Sequence, residues 1–218
     1  MRTSLALAAL VAALVPSCVY DDDGVSLAET VPLRAALERR TFLPVEATTA
    51  VSVDAATDGV MLAGVEPQVT GGRAVLRATD TGLLLVEALE VSLGDATLPG
   101  GTVGPRPLRL SELELRLGTQ LVVEPTWGAD GISVTGAARA DLLFDMALVD
   151  ASGTYPLGSQ ILRDQPFTLR ADLDGDVIRV HLETTADGTV SNIAGRIVLS
   201  DFAMAVDASS AKPIAEPL

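Results

Sequence analysis

From Ile132 to Leu148 apolar and polar residues alternate with period two, and few folds accommodate a run of that length. The even positions read Ile132, Val134, Gly136, Ala138, Ala140, Leu142, Phe144, Met146 and Leu148. The odd positions read Ser133, Thr135, Ala137, Arg139, Asp141, Leu143, Asp145 and Ala147. Successive side chains of a strand point to opposite faces, so one face of this run is apolar and the other largely polar. A helix would spread both sets around its circumference. The run predicts one long strand, or two joined by a bend at the small residues 136–140.

The same period recurs on both sides. Leu113, Leu115 and Leu117 alternate with Glu112, Glu114 and Arg116; Phe167, Leu169, Ala171 and Leu173 alternate with Thr168, Arg170 and Asp172. Ile178, Val180 and Leu182 follow, then Phe202, Met204 and Val206. Turn signals at Asp58-Gly59, Asp80-Thr81-Gly82, Asp130-Gly131, Ser152-Gly153, Asp174-Gly175 and Asp187-Gly188 separate the runs and favour antiparallel hairpins. No strand–helix–strand spacing interrupts them, which disfavours a parallel nucleotide-binding sheet. The expected class is all-β: an antiparallel β-sandwich or an open half-barrel. A short helix is expected within Thr30–Arg40, where Leu33, Ala36, Leu37 and Arg40 share one helical face behind Pro32.

Ahead of this domain stand Arg2 and an unbroken apolar run from Leu5 to Val15. At about 1.5 Å per residue the run is roughly half of what a helix needs to cross a bilayer. It fits the apolar region of a secretory signal. The run ends in Val15-Pro16-Ser17-Cys18, which resembles the lipobox of bacterial lipoproteins at Val15, Ser17 and Cys18. The resemblance covers only residues 1–18. It implies cleavage between Ser17 and Cys18 and acylation of Cys18, the one cysteine of the chain. Each buried acyl methylene contributes about 0.8 kcal/mol, so two or three chains anchor firmly. Val19 differs from the Asp that the family associates with inner-membrane retention. The resemblance thus implies an exported, lipid-anchored protein, at the outer membrane where the organism has one.

The chain then divides into a signal peptide at 1–17, an acidic tether at 18–30 bearing Asp21-Asp22-Asp23, a single β-rich domain at 31–207, and a flexible tail at 208–218. The Pro/Gly stretch 99–107 is the one candidate internal boundary. An integral outer-membrane barrel is disfavoured, because one Trp, two Tyr and four Phe are too few for two aromatic girdles.

Composition narrows the chemistry further. A formal charge of −14, with Lys212 the one lysine and arginines scattered, disfavours nucleic acid, whose phosphates must be neutralised. One His and one Cys disfavour a His/Cys metal site and a structural disulfide network. His181 lies on the polar face of its strand with no G-x-S-x-G elbow elsewhere, and reads as an exposed strand histidine. Asp172, Asp174, Asp176 and Glu183 follow an EF-hand-like count, but Val177 stands where the loop needs Gly, so a hairpin with solvated carboxylates is expected. No catalytic residue, metal or cofactor is expected. The first functional reading is a structural or interaction role for an acidic β-domain tethered through Cys18, with a membrane and an envelope protein or lipid as partners. The alternative is binding or transfer of a lipid or other apolar ligand on the sheet face carrying Leu142, Phe144 and Met146. A hydrolase with a carboxylate site is third.

Overall fold

The computed structural model describes residues 32–57, 60–61, 66–98, 108–150, 153–192 and 195–211. The anchor region, the acidic tether, the 99–107 stretch and the Asp58-Gly59 turn signal lie outside them. Among the described residues the chain forms one short helix, α1 (Pro32–Leu37), and thirteen strands. These are β1 (Thr41–Pro44), β2 (Ala50–Thr57), β3 (Val60–Met61), β4 (Val69–Ala78), β5 (Leu84–Leu93), β6 (Ala96–Leu98) and β7 (Leu108–Leu117). Then come β8 (Leu121–Val123), β9 (Thr126–Trp127), β10 (Ser133–Asp150), β11 (Gly153–Asp174), β12 (Val177–Asn192) and β13 (Gly195–Ala211). The protein is all-β.

Every neighbouring pair is antiparallel. The strands form a single sheet in the order β1-β4-β5-β7-β10-β11-β12-β13-β2-β3, with β6 on β7, β8 on β5 and β9 on β10. The sheet includes strands from both sides of 99–107. Its hydrogen-bonded ladder is not closed. Just past β1, however, Val45 forms an isolated bridge with Ala208 on β13, and its N–H donates to the Gly72 carbonyl of β4 at 3.1 Å. The sheet therefore curls on itself as an open barrel with one seam.

The alternation read from the sequence assigns the two faces. Val134, Leu142, Phe144 and Met146 of β10 point inward, with Phe167, Leu169 and Leu173 of β11, Ile178, Val180 and Leu182 of β12, and Phe202, Met204 and Val206 of β13. Phe167 and Phe202 are each 1% exposed, and burial of such a ring contributes about 1.5–3 kcal/mol. Outward lie charge pairs such as Arg116–Asp145 at 2.9 Å and Arg170–Asp172 at 2.8 Å. Helix α1 buries Leu33, Ala36 and Leu37, packs against β4 and β11, and is tied down by the Leu33 N–H on the Gly131 carbonyl at 3.1 Å.

The small residues of β10 mark both a close approach and a bend. A Cβ at Gly136 would overlap Val123 Cγ1 and stand 3.2 Å from the Glu124 carbonyl oxygen, so only glycine admits the β8–β9 segment here. A bulge lies between Ala140 and Leu142, where β10 starts to pair with β7. From Ser133 onward the run lies in one 18-residue strand with a second register shift between Met146 and Ala147, and Ile132 stands just ahead of it, 42% exposed. Asp174-Gly175 forms the expected turn, Gly175 taking φ +60°. Asp187-Gly188 does not. The β12–β13 ladder runs past it to Asn192 opposite Gly195, and a register shift between Ala186 and Gly188 takes the place of a turn. Strand β13 likewise reaches Ala211, into the stretch expected as a tail.

Candidate functional site

Of the residues singled out in the sequence, Val15, Ser17 and Cys18 lie outside the described residues. Leu142, Phe144 and Met146 sit side by side on the inner face of β10, 0%, 7% and 7% exposed. Leu142 is paired with Leu162 and Leu117, and Phe144 with Leu115, in a continuous apolar core.

An opening lies elsewhere, at the seam. Strand β1 pairs with β4, but after Val45 the chain turns at 46–49 and β2 joins β13. The start of β4 and the start of β2 therefore diverge. Between them is a cleft of about 760 Å³. Val51, Met204, Pro67 and Val69 give it apolar walls, and Thr49, Ser52 and Thr184 contribute hydroxyls. Glu66 and Glu183 are exposed at its rim. That volume falls in the usual range for small-ligand sites, and the mixed lining suits an apolar body with a polar end. Met204 was legible as an inward residue. The partnership of β2 with β4 across a gap was not, because it joins segments with no shared turn.

A second cluster adjoins the cleft on the outer face. His181 of β12 stands opposite Asp207 of β13 and two residues before Glu183, on the same face as both. Its Nδ1 is 2.7 Å from Asp207 Oδ1 and its Nε2 is 3.0 Å from Glu183 Oε1. The hydrogen bonds to Glu183 and then Asp207 raise the His181 pKa above its ordinary 6.5, against an opposing contribution from partial burial. Burial works to raise the Asp207 carboxyl. Hydrogen bonds from His181 and the Thr48 hydroxyl, with the His181 charge, outweigh it and hold that group below the ordinary carboxylate value. The histidine keeps the outward position expected from the sequence, but as a paired group rather than a free one.

No family model, curated protein or solved structure matches the chain. Its chemistry must be read from its own residues. Of the four EF-hand-like carboxylates, two are engaged by arginines, Asp172 by Arg170 at 2.8 Å and Asp174 by Arg179 at 2.9 Å, and Glu183 is held by His181. Among the described residues no group of three His, Cys, Asp or Glu is arranged to hold a metal ion. Trp127 is half-buried against the core.

Proposed function

We propose that this protein is a lipid-anchored envelope protein, held at a membrane through Cys18, whose acidic β-domain serves in structure or interaction. The observation that carries the reading is the division of the sheet into an apolar interior and a charged outer face. Leu142, Phe144 and Met146 are occupied in packing, and the outer surface is built for water and for polar partners. The lipobox resemblance supplies the address. An acidic tether, repelled by anionic headgroups, would hold the domain away from the membrane plane. Replacing Cys18 with Ala tests the anchor. The variant is expected in the soluble fraction and without incorporated radiolabelled palmitate. Continued membrane fractionation of that variant refutes lipid anchoring.

The seam cleft favours a second reading, binding of a lipid or other apolar molecule. Its volume and its apolar walls at Val51, Pro67, Val69 and Met204 support it. Native mass spectrometry of the Cys18→Ala protein distinguishes the two. A co-purifying apolar molecule, lost on Val51→Trp, favours carriage; a bare chain mass favours the interaction role.

A further inference from the structure

The imidazole of His181 has two nitrogens and both face carboxylates, Asp207 at 2.7 Å and Glu183 at 3.0 Å. An ionised carboxylate accepts and cannot donate, and a neutral imidazole carries one N–H. One of the two contacts is therefore a hydrogen bond only when the ring is doubly protonated.

Asp207 is also where the seam is fastened. Its carbonyl accepts from the Glu46 N–H at 2.7 Å and from the Thr49 hydroxyl at 3.1 Å, and its own N–H donates to Thr49 Oγ1 at 3.0 Å. Thr48 lines the same small void as Asp207. One residue further on, Ala208 makes the bridge to Val45. The 45–49 corner thus hangs on Asp207, and His181 grips the same residue from the other side.

We propose that doubly protonated His181 latches the seam of the sheet, and that its deprotonation loosens the 45–49 corner from β13. The surroundings agree in sign. From β11, Arg170 pairs with His181 in register but is engaged by Asp172; from β12, Arg179 is engaged by Asp174. Glu46 and Thr48 approach from the corner, beside Asp172, Arg179 and Asp207 around a small void of about 180 Å³. Arg170 and Arg179 are thus each offset by an aspartate, Asp172 and Asp174, while Glu46, Glu183 and Asp207 stand beside the ring, and the balance favours a cationic imidazole.

A group whose folded pKa is raised contributes stability that is fully present below its unfolded pKa and is lost as pH rises through the folded value. The latch is therefore closed at mildly acidic pH and weakens on going alkaline, above about 6.5. It stands whether or not the neighbouring cleft takes a ligand, though opening the corner would widen that cleft.

His181 is the one histidine of the chain, so a nitrogen-15 titration of the full-length protein in detergent micelles reports a single imidazole. Hydrogen exchange at Glu46 and Asp207, corrected for intrinsic rates, is followed over the same pH range. The Gly118 N–H on the Asp141 carbonyl, away from the corner and the cleft, serves as an internal control. The expected result is a pKa above that of free histidine. Protection at Glu46 and Asp207 should fall through that pKa, by up to tenfold per unit of elevation, while Gly118 stays constant. Asp207→Asn should bring the His181 pKa down and flatten the pH dependence at Glu46. A pKa at or below the free value, or protection at Glu46 and Asp207 that ignores pH, overturns the latch without any variant being needed.

Discussion

Leu142→Ala separates a filled interior from a ligand-lined one. Leu142 is 0% exposed and lies between Leu117 and Leu162, so the substitution removes three carbons from a packed site. At about 0.8 kcal/mol per buried methylene the transfer loss is about 2.4 kcal/mol. The residual cavity adds to it, at about 24 cal/mol per Å³ left unfilled, which brings the expected cost to about 3–5 kcal/mol. Urea unfolding of the Cys18→Ala protein, with and without the second change, measures the difference at constant m-value. Ile161→Ala is the control: it faces outward opposite Leu143, is 46% exposed, and should cost less than about 1 kcal/mol. Were Leu142 the wall of an empty tunnel, it would lack packing partners on one side and its truncation would cost far less. A loss below about 1.5 kcal/mol at Leu142, or one matching Ile161, would refute the filled core.

Other consequences are local. Gly136→Ala drives a methyl into Val123 and should destabilise by about 1–3 kcal/mol, read as a lower urea midpoint; a neutral result would mean that the β8–β9 segment shifts away freely. Glu112 is exposed and adopts φ 55°, so Glu112→Gly should stabilise by about 0.5–1 kcal/mol, whereas the same change at Glu114 on the same strand should destabilise by about as much. Matching signs at the two positions would contradict the strain argument. Arg109 contacts Asp95 at the surface, with the Arg109 side chain 59% exposed, and Arg109→Ala should change stability by less than about 1 kcal/mol, less still at high salt.

How far the molecule could be read from its residues depended on the range of the interaction. Period-two alternation is written within each strand, so the all-β class and the inward set from Val134 to Val206 were legible. Half of the His181 site was legible too, because a His-x-Glu spacing in a strand puts both side chains on one face. Its other half required the register of β12 on β13, which the turn position sets. A tight turn at Asp187-Gly188 would have set His181 opposite Ala194. The ladder instead turns between Asn192 and Gly195 and brings Asp207 there. Asp-Gly serves a turn and a bulge equally well, because both need a residue that tolerates unusual backbone angles. The seam was further out of reach, since Thr49 and Asp207 are 158 residues apart and the 46–49 corner carries no pattern that points to β13. The fold is thus legible where the chain talks to its neighbours in sequence. The latch and the cleft both arise at the seam of the curled sheet, and only that curl brings segments so far apart in sequence together.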